Sequence, residues 1–212
     1  APVASEISYI SENGALAVDH GEVLYQDSFD RKLAGEIISA ILEKKDAEFT
    51  CSAKDYHYLM PKTKKFHDHM LYEVKNECRF VKSLDEMTDP IMKLAVFEPG
   101  GLTEESVKYW TGRFEKDCVV VTSGNEWIDF IPFGTNKAKG IIEYQKRYHI
   151  SPEECLTFGD EYNDIEMLKA VKYGFAMAHS KEGVREAAAY TTDRVETGII
   201  RCNYFRCNAS RN

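Results

Sequence analysis

No stretch of this 212-residue chain approaches the length of apolar sequence that a membrane helix needs. The longest apolar runs, such as Leu94 to Phe97, fall far short of the roughly 20 residues that span a bilayer. No basic n-region followed by an apolar h-region opens the chain. The expectation is therefore neither a membrane-spanning protein nor an uncleaved secretory precursor. Positive charge is also in deficit, with 27 Lys and Arg against 35 Asp and Glu and a formal net charge of −8. A nucleic-acid binder ordinarily shows a basic footprint, and none stands out. No internal repeat or low-complexity segment is visible, nor a linker richer in Pro or Gly than a loop. Six cysteines are present, at Cys51, Cys78, Cys118, Cys155, Cys202 and Cys207. Their wide, irregular spacing without a signal peptide points to reduced, mostly buried thiols and a cytosolic compartment.

What is there is ordinary globular material, 43% apolar and 29% charged. A chain of this length buries roughly 70% of its unfolded surface, enough for a substantial core. Ile7 to Ile10 and Ala15 to Val18 read as short strands broken by Asn13-Gly14, and Asp19-His20-Gly21 as a hairpin turn into Val23-Leu24-Tyr25. Beyond Phe29, apolar residues at Leu33, Ile37, Ile38, Ile41 and Leu42 keep helical spacing. Ala47 to Cys51 and Met92 to Phe97 suit strands, while Thr63 to Lys75 and Thr103 to Phe114 suit helices. The β-branched run Val119-Val120-Val121 predicts a buried strand. From Asn136 onward, helices (Asn136 to Tyr148, Ile165 to Val171, Lys181 to Ala189) alternate with strands (Cys155 to Phe158, Tyr173 to Met177). That alternation implies right-handed crossovers and a parallel sheet. The expected organisation is an α/β core built from residues 1–26 and 131–212, with an α+β domain inserted at 27–130.

Chemistry concentrates between Phe158 and Leu168. A strand there delivers Asp160 at its carboxyl end, where α/β sheets place their ligands. The next helix starts near Asn163, so Asp160 and Asp164 can both face the loop above the sheet. Two carboxylates and an amide within five residues make a hard, oxygen-rich site of the kind Mg²⁺ prefers. The alternative is that Asp160 simply caps the helix. A second feature favours the site: Asn136-Lys137-Ala138-Lys139-Gly140 opens the preceding helix, on the same sheet edge in a parallel βα arrangement. A lysine beside such carboxylates supplies the fixed positive charge that a phosphoryl group's oxygens require.

Gly159-Asp160-x-x-Asn163-Asp164-x-x-Met167-Leu168 resembles the fourth motif of the haloacid dehalogenase superfamily in its Cof-type phosphatase branch. The Lys137 segment resembles the third motif, and Ser11-Glu12-Asn13-Gly14-Ala15 the Asn-Gly-Ala strand before the cap. Phe175-Ala176-Met177-Ala178-His179-Ser180 sits where the family usually writes a Val-Ala-Met-Gly-Asn-Ala-like run. The resemblance covers residue 7 to about 200. It implies a Rossmann-like core with an inserted α+β cap, and Mg²⁺-dependent hydrolysis of small phosphorylated metabolites such as sugar phosphates through an aspartyl-phosphate. It further implies Asp160, Asp164 and Asn163 as the metal-site residues. Lys137 becomes the catalytic cation, and Lys137 with Asn13 the substrate-binding pair. Cap residues that set specificity are not identified by it.

One departure is large. The family's first motif, Asp-x-Asp-Gly-Thr, carries the nucleophile and occurs nowhere in the chain. Its second motif, a Ser or Thr at a strand end, has no counterpart in Ser5, Ser8 or Ser11. The expectation is a fragment of a longer phosphatase, because loss of a first strand would leave a parallel sheet open at an apolar edge. A phosphomutase on the same core, and a relative that binds phosphate and metal without catalysis, are the alternatives.

Other features read as structural. His67-Asp68-His69 are surface polar positions, since residues two apart on a helix point different ways. Cys202, Cys207 and His179 match no zinc pattern. Lys62, Lys64 and Lys65 read as a solvated helix start. Lys54-Asp55-Tyr56-His57-Tyr58 is a polar-aromatic loop in the inserted domain, either plain surface or a reader of the leaving group.

Overall fold

The structure is a computed structural model in which residues 7–192 are described. The Arg201–Asn212 tail, with Cys202 and Cys207, lies outside them, as does Ser5. The chain divides into two compact units, one formed by Ala1–Tyr25 with Asn136–Asn212 and the other by Gln26–Thr135.

The discontinuous unit starts with an antiparallel sheet of β1 (Ser8–Ser11), β2 (Leu16–Asp19) and β3 (Glu22–Gln26), in that order. Ser11 pairs with Leu16 across the 3-10 turn Glu12–Gly14. The turn between β2 and β3 has positive φ at both His20 (48°) and Gly21 (88°), as a two-residue hairpin with right-handed strand twist requires.

The inserted unit is a six-stranded sheet backed by helices. In chain order it comprises α1 (Arg31–Glu43), β4 (Glu48–Ser52), β5 (His57–Leu59), α2 (Lys64–Asp68), β6 (Cys78–Phe80), β7 (Lys93–Phe97), α3 (Glu104–Phe114), β8 (Val119–Ser123) and β9 (Trp127–Ile131). The strand order is β6-β5-β4-β7-β9-β8, antiparallel except for β5 beside β6. Strand alternation turns Phe49, Cys51, Leu94, Val96, Ile128 and Phe130 to one face. There they pack with Ile37, Ile38 and Ile41 of α1 and Trp110 and Phe114 of α3 in a single cluster. Each such side chain, fully buried, contributes roughly 1.5–3 kcal/mol. Leu59 and Phe97 belong to a second cluster with Phe66 and Met70.

Three expectations need correction here. Val119–Val121 form an outer strand, half-buried to exposed, because among the described residues β8 pairs only with β9. The Thr63–Lys75 helix ends its α-helical part at Asp68 and continues as a π-helical turn, His69–Val74, closed by Lys75 at φ 60°. Lys62 is not simply solvated: its Nζ donates to the carbonyls of Ile41 and Lys44 at 2.9 and 2.6 Å, satisfying the C-terminal end of α1. Burial lowers its pKa accordingly.

The chain then re-enters the first unit as α4 (Lys137–Tyr148), β10 (Leu156–Gly159), α5 (Ile165–Lys169), β11 (Tyr173–Ala176), α6 (Glu182–Ala187) and β12 (Tyr190–Thr191). Strands β10, β11 and β12 form the anticipated parallel sheet, in that order. Leu168, Ala176 and Val184 pack between it and its helices. Among the described residues β10 pairs on one side only, so it is less buried than its apolar sequence suggests; Leu156 is 45% exposed. Helix α4 packs on β1 and β2 and on α5, linking the antiparallel sheet to a helix of the parallel one. No helix among the described residues is long and apolar enough to cross a membrane.

Candidate active site

Two chain turns converge at the carboxyl edge of the parallel sheet. Asn136 caps α4, its side chain accepting from the Lys139 N–H at 3.3 Å, which makes Lys137 the first helical residue. Gly14 fixes the neighbouring turn. At φ +99° it holds a conformation that L side chains avoid, and a Cβ there would lie 2.1 Å from the Asn136 carbonyl oxygen. The Asn13-Gly14 turn therefore lies directly on the start of α4, with Asn13 itself left-handed at φ 56°.

From the other side, β10 ends at Gly159 and the chain passes Asp160 and Glu161 into the 3-10 turn Tyr162–Asp164. Asp164 folds back under this loop. Its Oδ2 accepts from the backbone N–H groups of Asp160 and Glu161 at 2.9 and 3.0 Å. Its Oδ1 accepts from Lys137 Nζ at 2.5 Å. The fold back is possible because Gly159 has no Cβ; one would sit 2.5 Å from the Asp164 Cβ. The Asp164 side chain is only 6% exposed. Burial pushes its pKa upward, but the Lys137 hydrogen bond and the two backbone N–H groups outweigh it, and the net shift is below the ordinary 3.8. A buried carboxylate thus stays ionised and keeps the lysine aimed.

The chain of contacts continues outward. Lys137 Nζ also lies 3.5 Å from Asn163 Oδ1, and Asn163 donates through Nδ2 to Asn13 Oδ1 at 3.2 Å. Asn13, Lys137, Asn163 and Asp164, from three separate stretches of sequence, form one network. Asp160 stands apart from it. Its carboxylate is 50% exposed, and its side-chain contact is with His179 Nε2 at 3.4 Å. It does not cap the following turn; Asp164 and Glu161 do that.

These residues fit a hard divalent cation. Mg²⁺ is commonly held by one or two carboxylates, with waters and substrate phosphate completing an octahedron. Asp160 offers an accessible carboxylate at a strand end, whereas both Asp164 oxygens are already taken by protein donors. Among the described residues no group of three or more His, Cys, Asp or Glu side chains forms a ready-made metal cage. The donor set suits a shared, water-rich site.

Sequence reasoning missed the loop after β11 as part of this neighbourhood. His179 reaches Asp160, and Lys181 Nζ donates to Glu161 Oε2 at 2.9 Å while lying 5.0 Å from the Tyr162 ring centroid. The parallel pairing of β10 with β11 brings this loop there, and only the Phe175–Ser180 resemblance hinted at it.

His67 stacks on Phe80 and His69 on Phe97, facing different partners. In the Lys54–Tyr58 loop, Tyr58 is fully buried; its hydroxyl and that of Tyr56 both donate to Asp89. Cys51 and Cys118 are buried, Cys78 and Cys155 half-buried, and all four are unbridged.

Comparison with known proteins accords with this geometry. The family model for haloacid dehalogenase-like hydrolases matches residues 2–201. The 5-amino-6-(5-phospho-D-ribitylamino)uracil phosphatase YbjI of Escherichia coli is 28% identical over 191 residues, which cover 89% of this chain and 69% of that protein. Among solved structures, the subclass IIB sugar phosphatase BT4131 superposes with a TM-score of 0.74 at 26% identity, covering 94% of this chain and 75% of the other. A protein from Eubacterium rectale shares the fold at TM-score 0.77 and 22% identity, over 91% of this chain and 73% of its own.

Proposed function

From its membership of the haloacid dehalogenase-like hydrolase family, as a phosphatase of the capped kind, we propose that the chain serves Mg²⁺-dependent hydrolysis of a sugar or polyol phosphate. The E. coli relative acts on a phosphoribityl compound and the structural relative is a sugar phosphatase. A phosphate monoester on a polyhydroxylated chain is common ground between them.

The reaction is a double displacement. A carboxylate oxygen attacks phosphorus as the ester P–O bond breaks, the alcohol leaves with a proton, and water then cleaves the acyl phosphate to release phosphate. The nucleophilic aspartate lies outside these 212 residues in this reading. A bound Mg²⁺ would supply positive charge beside the transferring group. Asp160 would hold it. Lys137 would neutralise the equatorial oxygens and the nucleophile, a role for which a fixed ammonium suffices. Asp164 would fix Lys137 and the 160–161 backbone. Asn163 would order the loop, and Asn13, whose oxygen engages Asn163, would keep its NH₂ for a substrate oxygen. Residues 26–135 would be the cap.

The observation that supports this most is the Lys137–Asp164 pair beside the half-exposed Asp160 carboxylate at one sheet edge. The test is phosphate release from a panel of sugar and polyol phosphates by the natural full-length protein, with and without Mg²⁺. Asp160→Asn should lower turnover about 10²–10³-fold. Near-normal activity in that variant would sink the assignment. Recovery of an isomeric sugar phosphate in place of free phosphate would point to a phosphomutase.

A further inference from the structure

The loop after β11 is tied down on both sides of His179. The Met177 N–H donates to the Gly159 carbonyl at 2.9 Å, and the Ser180 N–H to the Met177 carbonyl at 2.9 Å. Ser180 is buried, with Oγ 3.5 Å from the same Gly159 oxygen, and Arg185 donates to the Ser180 carbonyl. These contacts bind the loop to the residue immediately before Asp160. Lys181, on Glu161 and over Tyr162, binds it to the residues immediately after. The backbone at 159–161 is therefore held from two directions, by this loop and by Asp164.

The Asp160 side chain is not held in the same way. Half-exposed, it has two free dihedrals, and a carboxylate that must meet a cation loses affinity when it samples other rotamers. Among the described residues, His179 is its side-chain partner, through Oδ2. The related motif carries an amide residue at this position, and here an imidazole takes its place. With rotational freedom only about χ1 and χ2 and a ring nitrogen able to donate, it is a suitable brace.

We propose that His179 is a positioning residue for Asp160: its Nε2–H donates to Oδ2 and limits the rotamers of the carboxylate that would hold the cation. This rests on the reading of Asp160 as the cation-holding carboxylate. A competing arrangement has the same 3.4 Å separation, with imidazole and carboxylate as two direct ligands of one transition-metal ion. The two differ in consequence. A brace raises affinity for every cation that Asp160 binds, whereas a direct imidazole ligand favours Mn²⁺ over Mg²⁺.

The experiment measures Mg²⁺ binding by calorimetry and Mn²⁺ binding by electron paramagnetic resonance on the full-length protein. The variants are His179→Ala, His179→Asn and Asp160→Asn, each with its thermal midpoint recorded. The expected result is a roughly tenfold weakening of both cations in His179→Ala, largely restored in His179→Asn, with no matching fall in melting temperature. Unchanged affinities in His179→Ala, or loss confined to Mn²⁺, overturn the proposal while leaving Asp160 as the ligand. Asp160→Asn binding both cations as tightly as the wild type would overturn the Asp160 reading and this inference with it.

Discussion

The two units spend their buried groups differently. In the inserted unit one large aromatic-aliphatic cluster, centred on Trp110, Phe49 and Phe130, sits between sheet and helices. A half-buried carboxylate, Glu98, is consumed internally, accepting from Lys44, Ser106 and the Trp110 indole. Burial raises the Glu98 pKa, and these three donors more than offset it. In the discontinuous unit the parallel sheet rests on a small cluster of Leu168, Ala176 and Val184. One of its two buried carboxylates among the described residues, Asp164, is spent on holding Lys137 at the sheet edge. Both carboxylates stay ionised by the same physics, and their lysines are similarly exposed, Lys44 at 34% and Lys137 at 30%. Only Asp164 also binds the backbone that carries a second, half-exposed carboxylate, Asp160. A charge with a perturbed pKa marks a functional site only when further reactive groups converge beside it.

This contrast can be broken from either side. The largest effect should come from Trp110→Ala, which opens a cavity in the aromatic cluster and should cost about 3–5 kcal/mol. Both tryptophans, Trp110 and Trp127, lie in the inserted unit. Fluorescence of the remaining Trp127 therefore follows that unit alone during denaturant unfolding. A shift under 1 kcal/mol would show that the cluster is not its main support.

Gly14→Ala comes next, at about 2–4 kcal/mol, because it combines a left-handed backbone with an overlap on the Asn136 carbonyl. The loss should appear as faster hydrogen exchange in α4, with the tryptophan signal unmoved. Equal exchange in wild type and variant would contradict the close approach of the two turns.

Lys137→Met probes the charge pair and should cost about 1.5–3 kcal/mol at pH 7. The sign follows from Asp164, whose folded pKa lies below 3.8. Its stabilisation is complete above that value and lost as pH falls through the folded pKa. Without Lys137, burial is opposed only by the backbone N–H groups, so the deficit of the variant should shrink as pH drops below about 4. A deficit independent of pH would mean that the lysine acts through packing.

The smallest effect belongs to Asn13→Gly, about 0.5–1.5 kcal/mol. Glycine keeps the left-handed backbone and removes only the bond to Asn163. A weaker apparent affinity for substrate with little change in melting temperature is the expected outcome; unaltered KM would remove Asn13 from the substrate site.

Much of this molecule is legible residue by residue. Helical spacing from Leu33 to Leu42 marks α1, and the run from Asn136 shows α4, because long amphipathic segments carry their period on their face. The alternation after Asn136 implied a parallel sheet, which is what β10, β11 and β12 form. By contrast β5 and β6, three residues each, are too short to show a period, and they exist as strands through hydrogen bonds to their neighbours. The strand β9 passed unnoticed although Trp127, Ile128, Phe130 and Ile131 are apolar, because both its faces are covered and no alternation survives.

By itself the sequence determined the kinds of groups available: a lysine at a helix start, and two carboxylates and an amide just beyond a strand. Local rules of spacing, capping and chirality act over a few residues, so they can be read from the order of residues alone. Which of the two carboxylates is buried under the loop and which remains open was decided only by tertiary structure. That choice depends on Gly159 admitting the Asp164 side chain and on Lys137, 27 positions away in sequence, arriving to pair with it. A charge leaves water only where donors from distant segments have already converged, and no local pattern of residues records that convergence.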